Sequence, residues 1–183
     1  VAFTNSLKSA SLPVRAAAVL IGSMFIAAAA QVEVPMLPVP MTMQTFAVLT
    51  VGLLYGSRLG AATVVAYLVW GALGLPVFSG GDNLATLLAK PFTLGYLAGF
   101  VVAAFVAGAI AERGPGLLRG LGAVLAGSAA IYAFGLPWLA HMLGGDWMKA
   151  VMVGAVPFLL GDALKAALAI AVREGIGRVS FGR

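Results

Sequence analysis

The sequence predicts an all-α integral membrane protein, a single bundle of six transmembrane helices with both termini cytoplasmic. Three observations carry this reading. Of 183 residues, 62% are hydrophobic and only 9% are charged, where a water-soluble chain carries about 25% charged residues. Six apolar runs follow one another, each bounded by charge, proline or glycine. The basic residues outside those runs fall almost wholly at one end of them, the asymmetry that orients membrane proteins.

The first run, Val14–Ala30, continues into a proline-rich loop and predicts a retained helix rather than a cleavable signal. Ala18 and Gly22, then Ser23 and Ala27, place small residues four apart on it. Such a face permits close helix approach, either inside the bundle or against a partner membrane protein. These four positions are therefore candidate docking residues. The loop that follows, residues 31–40, holds three prolines and is largely apolar, which suits a stiff lid on the bundle or a taut connector.

Met41–Tyr55 and Leu59–Leu75 are short for full spans, and only Gly56-Ser57-Arg58 joins them. They predict tilted or broken helices with a tight turn. Pro76 to Thr93 is a long loop mixing glycine, polar and aromatic residues, the kind of segment that carries function on a small scaffold. Leu94–Ala111, Gly120–Leu136 and Ala150–Val172 complete the six. One membrane domain over residues 1–183 leaves no room for a second.

With the ends alternating sides, one face receives Lys8, Arg15, Arg58, Arg113, Arg119, Arg173, Arg178 and Arg183, and the other only Lys90 and Lys149. The positive-inside rule puts the first face in the cytoplasm. The net charge of +5 is then topological, and no nucleic-acid partner is expected. Zero cysteines exclude a disulfide framework and a thiolate metal site. The single histidine, His141, has no second ligand near it and reads as an interfacial residue. No phosphate loop is present, so the chain is not expected to hydrolyse ATP, and no catalytic constellation, metal or cofactor is expected.

Asp162 and Lys165 lie inside the last run. Each ionisable residue there costs roughly 2.5–3.5 kcal/mol on insertion scales. Three apart on a helix, they share a face, so they can neutralise each other and point into one cavity; a structural ion pair is the alternative. Lys90, followed by Pro91, suits capture of a carboxylate on the outer side, or is a solvated charge. Asn83 offers a donor and an acceptor to an amide- or urea-like group, though asparagine after glycines is also turn chemistry. Phe78, Tyr96, Tyr67 and Trp70 are candidates for an apolar wall or for an interfacial aromatic belt.

Several ordered segments carry a resemblance: Pro40-Met41-Thr42-Met43-Gln44-Thr45-Phe46-Ala47-Val48-Leu49, Gly56-Ser57-Arg58-Leu59-Gly60, Gly71-Ala72-Leu73-Gly74-Leu75-Pro76-Val77-Phe78-Ser79-Gly80-Gly81, Leu94-Gly95-Tyr96-Leu97-Ala98-Gly99-Phe100 and Gly161-Asp162-x-x-Lys165. Together they resemble the BioY family, biotin-specific substrate-binding subunits of energy-coupling factor (ECF) transporters, over about residues 14–175. The resemblance implies a six-helix protein of the bacterial cytoplasmic membrane that captures biotin from outside. It also implies docking on a transmembrane coupling subunit served by ATP-hydrolysing subunits. By position, Asp162 and Lys165 would hold the ureido end of biotin with Asn83 nearby, Lys90 would meet the valerate carboxylate, and Phe78 and Tyr96 would flank the ring and chain. One segment, Pro91-Phe92-Thr93-Leu94-Gly95-Tyr96, departs from the family's usual Gly-Pro-Thr-Gly-Gly-Tyr.

Overall fold

The apolar runs become helices that reverse direction between two unlike ends, one basic and one built of loops. The computed structural model describes residues 2–181; Arg183 of the basic end lies outside the described residues, as does the side chain of Arg178. In chain order the helices are α1 (Ala2–Ser9), α2 (Leu12–Ala30), α3 (Gln44–Tyr55), α4 (Ser57–Ala72), α5 (Leu84–Ala89), α6 (Leu94–Ala111), α7 (Leu117–Met142), α8 (Trp147–Gly154) and α9 (Leu159–Phe181). A two-residue antiparallel ladder, β1 (Glu33–Val34) with β2 (Met41–Thr42), closes the first loop.

Among the described residues, four stretches are long and apolar enough to cross a membrane: Leu12–Ala30, Pro91–Ala111, Leu117–Met142 and Trp147–Gly177. With 12 residues in α3 and 16 in α4, the second and third runs fall short of the roughly 20 that a perpendicular span needs. The chain is a mostly helical, multi-pass membrane protein. Three departures from the expected six uninterrupted helices have local causes. The last run is two helices, because Pro157, which has no N–H, sits in a 3-10 turn over Val156–Phe158 between α8 and α9. The fifth run extends past its expected end, with Pro137 tolerated inside α7 as membrane helices allow. Two short helices, α1 and α5, lie outside the six runs.

At the basic end α3 turns into α4 through Gly56 alone, whose φ of +83° favours glycine. Here α3, α4 and α6 meet backbone to backbone. A Cβ on Gly108 would lie 2.4 Å from the Gly56 carbonyl carbon and the Ser57 nitrogen, and one on Gly52 would lie 2.7 Å from the Ala104 oxygen. Small residues thus admit the close approach that substitutes for hydrophobic driving force within lipid.

The same end is fastened by polar groups. Glu112, just past α6, accepts from the Ser57 backbone N–H at 2.6 Å and from the Ser57 hydroxyl at 3.1 Å, and its other oxygen meets the Lys8 ammonium at 3.0 Å. A carboxylate from one helix therefore caps the positive end of another. Burial pushes the Glu112 carboxyl up, but the Ser57 N–H, the Lys8 ammonium and the Ser57 hydroxyl outweigh it and hold the group below its ordinary value. Thr4 donates to the Leu54 carbonyl at 2.8 Å, and the buried Arg173 donates to the Gly114 and Gly116 carbonyls at 2.9 and 3.2 Å.

The small-residue face of α2 is directed inward. A Cβ on Gly22 would lie 2.7 Å from the Thr63 side chain and 2.9 Å from the Tyr55 ring. Ser23, fully buried, accepts from the Trp70 indole N–H at 3.1 Å. Gly22 and Ser23 are therefore not free docking residues, and the half-buried Ala18 and Ala27 flank them. The reason is steric: only small residues let α4 lie this close. The outward face of α2 presents Leu20, Ile21, Met24 and Phe25.

Candidate functional site

At the loop end a cavity enclosing about 630 Å³ of empty space, its open mouth included, lies among α3, α6, α7, α9 and the two long loops. Its polar floor is built on α9. The break at Val156–Phe158 lets α9 start afresh, which places Asp162 in its first turn, where the helix dipole favours an anion. Lys165 follows on the same face and donates to Asp162 Oδ1 at 3.0 Å.

Two hydroxyls complete this group. Thr45, at the start of α3, accepts from the Lys165 ammonium at 3.2 Å and lies 3.4 Å from Asp162 Oδ1 as donor. Tyr132, midway along α7, donates to Asp162 Oδ2 at 2.5 Å. The two side chains are 15% and 8% exposed, and each meets the other and at least one hydroxyl. Beneath them Gln44 donates to the fully buried Tyr67 hydroxyl at 2.5 Å and accepts from Thr42 at 3.0 Å.

The walls are apolar: Phe78, Leu87, Leu97, Phe100, Ile131 and Phe158. Phe78 stands edge-on to Tyr67, ring centroids 5.4 Å apart, in space that Gly71 leaves open. Tyr96 stands edge-on to Tyr132 at 6.4 Å and donates its hydroxyl to the Gly154 carbonyl at 2.8 Å. That carbonyl ends α8 and has no helical partner, so Tyr96 serves as wall and spacer. The cavity roof is the 31–43 loop tied to the 76–93 loop. Gln31 donates to the Phe78 carbonyl at 3.0 Å, Ser79 donates to Glu33, and Val39 is buried against the core. The first loop thus reaches the cavity through Val39 and Pro40, while Val32, Val34 and Leu37 are exposed.

The structure brings together Asp162, Lys165, Phe78 and Tyr96 of the expected site. Asn83 and Lys90 stand outside it. Asn83 caps α5: its side chain accepts from the Thr86 N–H at 3.2 Å and donates to the Gly74 carbonyl at 3.2 Å. These two bonds hold the side chain against α5 and the Gly74 carbonyl, and Asn83 does not line the cavity. Lys90 is exposed at the end of α5, beyond the lining residue Thr93. Of the other aromatic candidates, Tyr67 lies behind the wall and Trp70 bonds Ser23. Sequence reasoning passed over Thr42, Gln44, Thr45 and Tyr132. The first three were visible as polar residues opening an apolar run, and Tyr132 as a phenol in the middle of one.

The family model described as "BioY family" matches residues 5–180, which include every cavity residue. The chain belongs to the BioY family. Relatives within it include a probable biotin transporter BioY of Pyrococcus horikoshii, 39% identical over 145 residues, 79% of this chain and 85% of that protein. The biotin transporter BioY of Thermotoga maritima is 36% identical over 154 residues, 84% of this chain and 90% of that one. A crystal structure described as the S-component for biotin from an ECF-type ABC transporter superposes with a TM-score of 0.79 at 20% identity, over 93% of this chain and 95% of that one. At that identity the likeness shows a shared fold for this BioY member.

Proposed function

We propose that this chain captures biotin from the outer side of the membrane as the substrate-binding subunit of an ECF-type transporter, with no enzymatic activity of its own. The observation that carries the site assignment is an inventory of free valences on the cavity floor. A carboxylate offers about two acceptor positions per oxygen and an ammonium offers three hydrogens. Asp162 Oδ1 meets Lys165 and Thr45, Oδ2 meets Tyr132 alone, and Lys165 uses two hydrogens. One acceptor on Asp162 and one donor on Lys165 remain. A cyclic urea presents the complement, an N–H beside a carbonyl, so the ureido head of biotin fits this floor. The apolar walls suit its thioether ring and chain.

On this reading six passages cross the membrane: α2, α3, α4, α6, α7 and the broken pair α8–α9. The chain is a single membrane domain. The basic end and both termini are cytoplasmic by the positive-inside rule, so the cavity end faces outward. The valerate carboxylate then points to the mouth near Ser79 and Thr93, with Lys90 the nearest cation in sequence. Relatives named as biotin transporters support the ligand; the fold shared with an S-component supports a transmembrane coupling subunit and ATP-hydrolysing subunits as partners.

The test is a biotin titration of the detergent-purified protein, with thiamine and riboflavin as competitors. Wild type is expected to bind biotin selectively and Asp162→Asn/Lys165→Met to lose it. Wild-type affinity in the double variant would refute the site; binding of another vitamin in place of biotin would refute the ligand.

A further inference from the structure

We propose that the basic end carries a second site, a groove among α1, α2, α4 and α6 that holds the headgroup phosphate of an anionic phospholipid. The groove encloses about 1,040 Å³ of empty space, its open side included, and Lys8, Arg15, Arg58 and Glu112 converge on it. Three cations face one carboxylate. Lys8 already neutralises Glu112 at 3.0 Å, which leaves Arg15 and Arg58 without a counter-charge among the described residues. Both sit in unfavourable places. Arg15 lies near the N-terminus of α2 and Arg58 is the second residue of α4, where helix dipoles disfavour cations unless an anion is near. Among the described residues the groove's sole carboxylate, Glu112, is consumed by Lys8 and Ser57, so the two arginines face no anion of their own.

The floor says which kind. Phe105 is 48% exposed and lines the groove beside Tyr55 and Leu59. The two helices that carry the arginines expose Val65 and Val69 of α4 and Leu20 and Ile21 of α2, apolar residues of the kind that face lipid. An anion held by the arginines is thus adjacent to hydrocarbon-facing surface, which suits a phosphate that carries acyl chains. The planar guanidinium fork matches phosphate oxygens better than an ammonium does. Basic pockets between membrane helices at the leaflet boundary bind lipid headgroups in this way.

The experiment is native mass spectrometry of the full-length chain in detergent with equimolar phosphatidylglycerol and phosphatidylcholine, with biotin binding measured in parallel. Wild type is expected to retain phosphatidylglycerol preferentially. Arg15→Gln should weaken retention about five-fold and Arg15→Gln/Arg58→Gln about 25-fold, following the usual contribution of one basic residue near a membrane surface. Lys149→Gln, at the other end, should change nothing, and biotin binding should be intact throughout. If the double variant also loses biotin binding and so does not fold, Arg58→Lys decides, with an expected partial loss of retention at full biotin binding. Equal retention of the two lipids, or undiminished retention in the folded variants, would overturn the proposal. Displacement of the lipid by inorganic phosphate at matched concentration would overturn it in favour of a soluble anion. Loss of energised uptake with lipid retention unchanged would overturn it in favour of a protein partner.

Discussion

Breaking the Asp162–Lys165 pair from one side should destabilise the fold, whereas removing both charges should not. Lys165→Met leaves a carboxylate 15% exposed with only the Tyr132 and Thr45 hydroxyls to satisfy it. Removing one partner of a buried pair costs about 3–5 kcal/mol. The two surviving hydroxyl donors put this case at the lower end, about 3 kcal/mol, which for a chain of this size is a drop of roughly 6–12 °C in midpoint. Asp162→Asn/Lys165→Met removes both charges and keeps a polar group for Tyr132 and Thr45. It should recover to within about 1 kcal/mol of wild type, since apolar or neutral replacement of a buried pair is often nearly neutral. The assay is thermal unfolding without biotin, because bound ligand would add stability. All variants share one detergent and one scan rate, because irreversible unfolding makes midpoints comparable only on such terms. A midpoint for Lys165→Met equal to wild type, or a double variant no better than the single one, would refute the picture of two mutually dependent buried charges.

Other expectations follow from named contacts. Tyr132→Phe removes a hydrogen bond to a charged acceptor, worth about 1.5–3 kcal/mol, and should weaken biotin binding at least ten-fold by freeing Asp162 to reorient; calorimetry reads this directly. Asn83→Ala deletes the α5 cap and should cost about 0.5–2 kcal/mol of stability with little change in biotin affinity, the reverse of what a ligand contact would show. Glu112 has a carboxyl held below its ordinary 4.5, so its contribution is complete above that value and is lost as pH falls through the lowered folded value. Unfolding midpoints measured from pH 6 to pH 3 should therefore fall less steeply for Glu112→Gln than for wild type.

Much of the architecture was legible because lipid enforces it. The α6 boundaries match the expected Leu94–Ala111 because Pro91 and the Glu112-Arg113 pair punctuate both ends. Lipid also exposed Asp162 and Lys165, since charges within an apolar run need a reason. What remained hidden involved no such penalty. Thr45 and Tyr132 are neutral, and a hydroxyl inside an apolar helix can bond its own backbone, so position along the chain does not reveal that both converge on Asp162. The division of the last run at Pro157 was a local signal outweighed by the continuous hydrophobicity around it. Asn83 was the opposite case. Asn83-Leu84-Ala85-Thr86 reads as a capping pair three residues apart, and turn chemistry, one of its two readings, is the role it fills.

The backbone seam among α3, α4 and α6 bears on how far such a chain can diverge. Where helices touch through Gly52 and Gly108, even one added carbon collides with peptide atoms that cannot step aside. A position such as Leu20, Met24 or Val69 faces outward and asks only to be greasy. Geometry thus sorts the chain into a few letters that are nearly fixed and many that are nearly free. Most of the text can be rewritten while the spacing of the seam is kept, which is how a fold can persist between two chains that share one residue in five.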